Sequence, residues 1–355
     1  MGTDTLMRAA DRVRAVLPGT TGEAYGPGNG FPCFITPTDT GLRDDSGKVV
    51  AWHKKNRAVL DQLITEIGAI VLRGFAITGT DVFDQLADEY PEPRYGYTAG
   101  GSPRAGIAGA RRAYEATRAP ANLKLPLHQE MSYLPAYPDR LAFYCKAAPE
   151  TGGETIIADM RAFTRRLRPE LLSEVADKGV KYIRRFRNPS WLTGNQDVDT
   201  TAYRPWDEAF GTSDPKEVEE KCRELGFESE WVDDGFLSTY YVTAGARPHP
   251  DTGEVVWFNQ VTAQALRPET RGEEGYRGIK DAVGSKPWPL DQTLGDDTRI
   301  SDEDMRALYA LYDELEVAFP WQNGDVMILD NYFAAHGRNP FTGRRDIQVA
   351  LLGRK

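Results

Sequence analysis

Short apolar segments separated by glycine- and proline-rich turns constrain the fold of this chain more than any other sequence feature. Segments of this kind occur at 141–145, 155–158, 180–186, 237–242, 255–259, 326–329 and 347–352. Each segment has the length of a strand, and the turns between the segments favour β-structure. Many short strands with helices at the periphery predict a mainly β fold built on a sandwich or a barrel.

Helical spacing of apolar residues appears in a few places between these segments. The pattern before Gly68 predicts a helix that ends there, and the apolar run 69–72 predicts a buried strand. Thr80 or Asp81 is expected to cap the next helix. Further helices are predicted over 159–177, with the second of two beginning at Pro169, and over about 302–318.

The chain is expected to form one domain over residues 1–355. Residues 1–48 are rich in Gly, Pro and Thr, which predicts a short helix followed by an irregular N-terminal arm. Residues 49–355 then form the core with helical insertions, because neither a linker nor an internal repeat interrupts them. The loop-like segment 95–122 is long enough to suggest a functional or mobile loop.

Composition excludes several classes of protein. Hydrophobic residues make up 40% and charged residues 27% of the chain, which are globular proportions. The net charge of −10 argues against nucleic-acid binding, which requires a basic field. No window approaches the length of an apolar membrane span. Three widely spaced cysteines give neither a zinc motif nor a disulfide framework, so we expect a cytoplasmic protein with free thiols.

Two clusters of arginine interrupt the acidic balance. They comprise Arg161, Arg165, Arg166 and Arg168, and then Arg184, Arg185 and Arg187. Such runs usually form a solvated face of the protein. The alternative is a surface on which an acidic partner docks.

The most informative polar residues are His128, Glu130 and His336. His128 and Glu130 are two residues apart, so on a strand their side chains would project to the same face. His336 follows the apolar segment 326–329, and only the fold can bring it to the other two. Two imidazoles and one carboxylate suit non-haem Fe(II), because three coordination positions stay open for a cosubstrate and O₂. The alternative is that His128 is a hydrogen-bonded residue of the core and Glu130 is its solvated neighbour. Another histidine, His53, is expected at the surface.

Two further residues have a spacing that suggests anion binding. Thr155 follows a Gly-Gly turn and enters a strand, and Arg345 lies nine residues after His336. An arginine that returns on the next strand can form a bidentate pair with a carboxylate. A nearby threonine hydroxyl can add a hydrogen bond.

Taken together, four segments resemble those of the Fe(II)/2-oxoglutarate-dependent dioxygenases of the TauD/TfdA type. The segments read LPLHQEMSY at 125–133, PETGGET at 149–155, HPDTGEVVWFNQ at 249–260 and WQNGDVMILDNYFAAHGRNPFTGRR at 321–345. The resemblance extends from about residue 52 to the C-terminus. It is strongest to the branch that contains clavaminate-synthase-like and SyrP-like amino-acid hydroxylases.

This resemblance implies a fold, a set of cofactors and a set of site residues. The fold of the family is a double-stranded β-helix, a cupin-like jelly roll. His128, Glu130 and His336 match the iron ligands, and Thr155 and Arg345 match the residues that hold the distal carboxylate of 2-oxoglutarate. Fe(II), 2-oxoglutarate and O₂ are therefore the implied cofactor and cosubstrates. His249 matches a structural loop before a core strand.

The implied reaction is hydroxylation of an amino acid or a related small polar metabolite, either free or carried on a peptidyl-carrier domain. The family places its substrate against the loop before residue 128 and the residues just after it. Candidate substrate contacts are Ser102, Arg104, Arg118, Lys124 and Tyr133. The same scaffold supports desaturation, epoxidation or cyclisation. A non-catalytic jelly-roll module that binds metal or 2-oxoglutarate, and a zinc hydrolase, are the alternatives of other classes.

Overall fold

The computed structural model describes residues 2–25, 30–93, 106–117, 119–194 and 203–354. The helices in these ranges are α1 (Gly2–Val16), α2 (Thr40–Asp44), α3 (Ser46–Ile67), α4 (Thr80–Asp88), α5 (Met160–Arg166), α6 (Pro169–Lys178), α7 (Trp206–Phe210), α8 (Pro215–Glu224), α9 (Pro268–Val283) and α10 (Asp302–Leu315).

The strands are β1 (Thr20–Ala24), β2 (Cys33–Pro37), β3 (Ala69–Leu72), β4 (Tyr114–Glu115), β5 (Leu125–His128), β6 (Arg140–Ala147), β7 (Thr151–Gly152), β8 (Ile157–Asp159), β9 (Val180–Phe186), β10 (Glu228–Val232), β11 (Phe236–Thr243), β12 (Ala246–Pro248), β13 (Val255–Trp257), β14 (Leu290–Leu294), β15 (Val326–Asp330), β16 (Ala334–Arg338), β17 (Phe341–Thr342) and β18 (Asp346–Leu352).

The largest sheet contains seven strands in the order β1-β2-β3-β15-β6-β18-β4. β2 and β3 pair in parallel, and the other neighbours are antiparallel. Side chains alternate between the two faces of each strand. Ile70 and Ile328 therefore pack with helices α3 and α4 on one face, and Val71 and Met327 belong to the core on the other.

A smaller sheet, in the order β5-β16-β8, faces the large sheet across this second core. Ile157 of β8 and Ala334 of β16 pack in the same buried cluster as Val71 and Met327 of the large sheet. Two sheets that enclose one apolar core form the jelly roll that the sequence predicts. The first four residues of β15 are buried and apolar, as a central strand requires.

The segment between β8 and β15 forms additional layers at one side of the jelly roll. It contains the four-stranded sheet β10-β11-β9-β14 and the hairpin β12-β13. Helices α5, α6 and α10 pack with β8 and β9 in a third apolar cluster, which includes Phe163, Val180 and Leu308. β9 is an inner strand of the four-stranded sheet and lies between β11 and β14.

Most of the predicted elements are present. α3 ends at Gly68, whose φ of 100° is accessible to glycine, and β3 follows at once. Pro169 begins α6, and β9 has the predicted bounds. The cap of α4 was predicted wrongly, because the residue in the capping position is Gly79 and it makes no side-chain hydrogen bond to the helix.

The prediction of an irregular N-terminal arm is wrong. Residues in that range form β1 and β2, which extend the large sheet. One of the glycines in this range has a packing role, because a Cβ added to Gly22 would lie 2.8 Å from Cβ of Val13 in α1. The assignment of residues 1–355 to a single domain stays a prediction.

The predicted exposure of His53 is also wrong. His53 lies on the inner face of α3 and is fully buried, with its ring 5.7 Å from that of Tyr90. His249 is buried as well; its Nδ1 accepts hydrogen bonds from the backbone of Asp251 and Thr252, and its Nε2 lies 3.2 Å from Asp330 Oδ2. These contacts are consistent with the structural role expected for His249.

All three cysteines are buried and unpaired. Burial raises the pKa of Cys33 and of Cys145 to about 12, so both stay protonated at neutral pH. No helix within the described ranges is long and apolar enough to cross a membrane.

Candidate active site

The two histidines of the predicted triad are direct partners across the small sheet. His336 of β16 lies opposite His128 of β5 in the antiparallel register, and the centroids of their rings are 4.4 Å apart. Residues that oppose each other in an antiparallel pair project to the same face. The fold thus brings together two imidazoles that are far apart in the sequence.

Glu130 reaches the histidines by a different route from the one predicted. β5 ends at His128, so strand alternation does not determine the direction of Glu130. A turn follows, in which Met131 has a left-handed φ of 57°. Oε2 of the buried Glu130 then lies 3.3 Å from Nε2 of His336. The three residues meet as predicted, but a turn brings the carboxylate to the histidines.

Hydrogen bonds from neighbouring segments hold this turn. The backbone N–H of Glu130 donates to Oδ1 of Asn331 at 2.8 Å, and Nδ2 of Asn331 donates to the carbonyl of Glu130 at 3.0 Å. Gln260 donates through Nε2 to the carbonyl of Gln129 at 2.7 Å. The side chain of Gln129 donates in turn to the carbonyls of Trp257 and Tyr332. Sequence reasoning did not assign these amides a role.

The triad offers a suitable set of donors for a divalent metal. One donor atom from each of His128, Glu130 and His336 lies within 4.8 Å of the other two. Nδ1 of His128 lies 2.9 Å from the carbonyl of Pro126, so in the neutral ring it carries the proton and Nε2 keeps its lone pair. Two imidazoles and one carboxylate without a cysteine fit non-haem Fe(II) better than a closed zinc site.

Arg345 and Thr155 lie together, as the sequence suggests. Arg345 donates through Nε to the carbonyl of Gly153 at 2.9 Å, and its Nη2 lies 3.4 Å from Oγ1 of Thr155. The buried Thr155 hydroxyl also accepts a hydrogen bond from Nε1 of Trp321 at 3.2 Å. Gly153 permits this approach, because a Cβ there would lie 3.2 Å from Cδ of Arg345.

The guanidinium of Arg345 is available for an anion. Burial, followed by repulsion from Arg338, lowers the pKa of Arg345 to about 10. No carboxylate in the described ranges forms an ion pair with it. Arg345 and Arg338 line a cavity of about 400 Å³ whose wall also contains Glu115 and Asp346, neither of which forms an ion pair with Arg345. A half-buried cation without an anionic partner at a cavity is an arrangement that a carboxylate ligand would stabilise.

Arg338 has a structural role that the sequence analysis missed. It lies two residues after His336 and donates to the carbonyls of Ala119, Pro120 and Leu123 at 2.6–3.0 Å. These bonds tie β16 to the segment that leads into β5. The sequence indicated this role only through the position of Arg338, two residues after the candidate ligand His336.

The five residues predicted to contact the substrate differ in where the structure places them. Ser102, Arg104 and Arg118 lie outside the described residues. Lys124 is exposed, and its Nζ pairs with Glu316 at 2.7 Å, so its charge is already compensated. Tyr133 is half-buried, and its ring centroid lies 6.0 Å from that of Tyr182 in β9.

Most of the clustered arginines are compensated within the chain. The ion pairs are Arg161–Asp159, Arg165–Glu254, Arg166–Glu314, Arg168–Asp304 and Arg185–Asp291. Arg161 also donates to the carbonyls at the end of α3. These contacts favour the interpretation of a solvated, internally paired face over that of a docking surface for an acidic partner.

A jelly roll that brings two histidines and a glutamate together, and that holds an arginine without an ion-pair partner among the described residues, is typical of the Fe(II)/2-oxoglutarate-dependent oxygenases. Comparison with known proteins agrees. The profile of the family described as "Taurine catabolism dioxygenase TauD, TfdA family" matches residues 36–351. The chain therefore belongs to the TauD/TfdA family, and it is an oxygenase that uses Fe(II) and 2-oxoglutarate.

Two relatives extend the likeness over most of the chain. The dapdiamide synthesis protein DdaC of Enterobacter agglomerans is 31% identical over 82% of this chain and 84% of its own length. A clavaminate synthase-like protein of Arabidopsis thaliana is 30% identical over 90% of this chain and 93% of its own. The crystal structure of AAD-2 in complex with Mn(II) and N-oxalylglycine covers 91% of this chain and 93% of that chain, with 13% identity and a TM-score of 0.51. The similarity to the AAD-2 structure shows that the two proteins share a fold.

Proposed function

We propose that this oxygenase hydroxylates an unactivated C–H bond of an amino acid or a related small polar metabolite. In this proposal His128, Glu130 and His336 hold Fe(II), and Arg345 with Thr155 binds the distal carboxylate of 2-oxoglutarate. The observation that carries the proposal is the cross-strand pairing of His128 with His336, with Glu130 3.3 Å from His336.

The chemistry of the site divides between the cofactor and the chain. Fe(II) with 2-oxoglutarate and O₂ supplies the oxidant that breaks a C–H bond, and 2-oxoglutarate becomes succinate and CO₂. The chain orients the ligands through the turn at Glu130, which Asn331 holds at both backbone groups. It also binds the cosubstrate by charge at Arg345 and excludes water with the apolar core beneath His336, where the ring of Phe143 lies 5.1 Å away.

The relatives support a small polar substrate. One is named for dapdiamide synthesis and the other for its likeness to clavaminate synthase, so both names refer to small natural products. A substrate tethered to a carrier has less support, because the arginines at 161–168 that could attract an acidic carrier are internally paired.

The reaction type is tested with the Fe(II)-loaded enzyme, 2-oxoglutarate, O₂ and a panel of free amino acids. Hydroxylation predicts succinate in proportion to a product that has gained one oxygen atom. Loss of two hydrogens without gain of oxygen would indicate desaturation or cyclisation instead. Glu130→Ala should abolish succinate formation, whereas Glu314→Ala, at an exposed partner of Arg166, should leave it unchanged.

A wild-type enzyme that binds metal and 2-oxoglutarate but forms no succinate with any member of the panel would contradict the proposed substrate class. Equal amounts of succinate from wild type and Glu130→Ala would contradict the assigned triad.

A further inference from the structure

One face of β9 is directed at the segment that contains the candidate metal ligands. Tyr182 lies on this face, and its hydroxyl accepts a hydrogen bond from the backbone of Gln260 at 2.6 Å. Gln260 in turn donates to the carbonyl of Gln129, which lies between His128 and Glu130. The ring of Tyr182 also packs against Tyr133.

Arg184 lies on the same face of β9 as Tyr182, because residues two apart on a strand project to the same side. The groups that interact electrostatically with its guanidinium are Tyr133 and Arg204, and the ring of Phe186 lies 5.2 Å from its Cζ. Tyr133 follows Glu130 by three residues. Arg184 is thus placed beside the residue that continues the turn at the candidate metal site.

The described part of the chain supplies no carboxylate partner to the guanidinium of Arg184. No ion pair or hydrogen bond involves its guanidinium within the described ranges, and burial lowers its pKa. The neighbouring Arg185, on the opposite face of β9, donates to the carbonyl of Trp288 at 2.9 Å and lies 3.8 Å from Asp291. Among the residues that the structure describes, Arg185 therefore has a carbonyl and a carboxylate partner, whereas the guanidinium of Arg184 has neither.

Arg184 is half-buried, so its guanidinium is only partly hydrated and gains from a hydrogen-bonding anion. Such an arrangement is compensated when a ligand supplies the anion, and a carboxylate matches the planar guanidinium with two parallel hydrogen bonds. Arg345 has the same character, but it lies beside Thr155 and Gly153 and is assigned to 2-oxoglutarate. Arg184 lies on a different element, β9, beside Tyr133, and is therefore placed to bind a second carboxylate.

We infer that Arg184 binds the α-carboxylate of a free amino-acid substrate, with Tyr133 beside it. This inference rests on the proposed function and deepens it by selecting between its two forms of substrate. An aminoacyl group on a carrier has its carboxyl in a thioester and offers no charge to Arg184. The substrate is therefore a free amino acid.

The experiment uses anaerobic enzyme loaded with Fe(II) and 2-oxoglutarate, whose weak visible absorption band responds to changes at the metal. Free L-amino acids and their carboxamides are titrated into wild type, Arg184→Gln and Arg185→Gln. At least one free amino acid should perturb the band of wild type and of Arg185→Gln, and its carboxamide should not. Arg184→Gln should need roughly 10- to 100-fold more of that amino acid. Arg184→Lys, which keeps the charge, should recover part of the affinity.

The possible results distinguish a failure of the Arg184 inference from a failure of the proposed function. A band that forms in all variants but responds to no free amino acid, or responds equally to the carboxamide, overturns the inference and leaves the oxygenase site intact. Equal affinity in wild type and Arg184→Gln also overturns it. A wild-type enzyme without the band contradicts the proposed site itself, and the inference with it. The band of Arg184→Gln with 2-oxoglutarate alone shows that this variant is folded.

Discussion

Asn331 satisfies both backbone hydrogen-bonding groups of Glu130 at once. Its Oδ1 accepts the N–H of Glu130 at 2.8 Å, and its Nδ2 donates to the carbonyl of the same residue at 3.0 Å and to that of Pro138 at 2.8 Å. Asn331 lies immediately after β15 of the large sheet. The large sheet therefore helps to fix the position of the Glu130 carboxylate, which lies 3.3 Å from His336.

Replacing Asn331 should weaken metal binding without removing a ligand. Asn331→Asp keeps an acceptor for the N–H of Glu130 but places a charged oxygen against two carbonyls. Groups that orient metal ligands typically contribute 10- to 100-fold to metal affinity. We expect a decrease of about that size in affinity for Mn(II), measured by calorimetry under anaerobic conditions.

The matched control for this change is Asn56→Asp. Asn56 donates to the carbonyl of Trp52 within α3 and has no contact with the candidate site in the structure. Its variant should bind Mn(II) as wild type does. Wild-type affinity in Asn331→Asp would show that Glu130 does not depend on this amide.

Arg345 and Arg344 form a natural pair for testing the 2-oxoglutarate site. Arg345 is half-buried at the cavity, whereas Arg344 is exposed and lies 3.7 Å from Asp346. Arg345→Gln removes charge-assisted hydrogen bonds to the cosubstrate and should raise its Kd by roughly 10- to 100-fold. Arg344→Gln should leave the Kd close to that of wild type. Calorimetric titration of 2-oxoglutarate into the Mn(II)-loaded proteins measures both, and similar values for the two variants would refute the assignment.

Thr155→Val tests the hydroxyl that lies between Arg345 and Trp321. The substitution keeps the shape of the side chain but removes the acceptor of both N–H donors. Leaving buried donors unpaired costs about 1–3 kcal/mol. We expect a lower free energy of unfolding by that amount and a higher KM for 2-oxoglutarate. Thr155→Ser, which restores the hydroxyl, should recover the KM; failure to do so would contradict a role for the hydrogen bonds.

His53 should make stability depend on pH. Burial, followed by repulsion from Arg57, lowers the pKa of His53 from 6.5 to about 3. Below pH 6.5 the unfolded chain binds a proton that the folded protein does not bind until about pH 3. This residue therefore reduces stability as the pH falls through that window, by about 1.4 kcal/mol per unit.

Urea unfolding of wild type and His53→Leu at a series of pH values measures this contribution. Neither ring nitrogen of His53 has a hydrogen-bond partner in the described part of the chain, so above pH 6.5 His53→Leu should already be more stable by about 1–3 kcal/mol, because it removes a buried unpaired N–H. The difference should turn increasingly in favour of His53→Leu as the pH is lowered. A difference that is constant with pH would mean that the buried ring titrates normally.

Much of the jelly roll was predictable because its strands are buried and apolar. β15 and β18 are recognisable in the sequence for that reason, and both are inner strands of the seven-stranded sheet. β1 was missed because Gly22 resembles a loop residue until the helix packed against it is known. Strand pairing between distant segments cannot be derived from periodicity, so the register that joins His128 to His336 required the structure.

The candidate site, like the fold, was only partly predictable from the sequence. The ligand types and the Arg345–Thr155 pair were predictable from local motifs and family resemblance. The turn at Met131, with its positive φ, and the amide of Asn331 were not, because each depends on contacts made after folding. That Arg184 has no ion-pair partner among the described residues is likewise a property of the assembled fold, since the sequence does not distinguish it from its paired neighbour Arg185.

The most direct test of the metal and cosubstrate site is the anaerobic absorption spectrum of the protein with Fe(II) and 2-oxoglutarate. Chelation of Fe(II) by 2-oxoglutarate gives a weak charge-transfer band in the visible region. The account predicts this band in wild type and its loss in His336→Ala, which removes one of the three clustered donors. A folded, iron-loaded wild type without the band, or an unchanged band in His336→Ala, would contradict the assignment of the site.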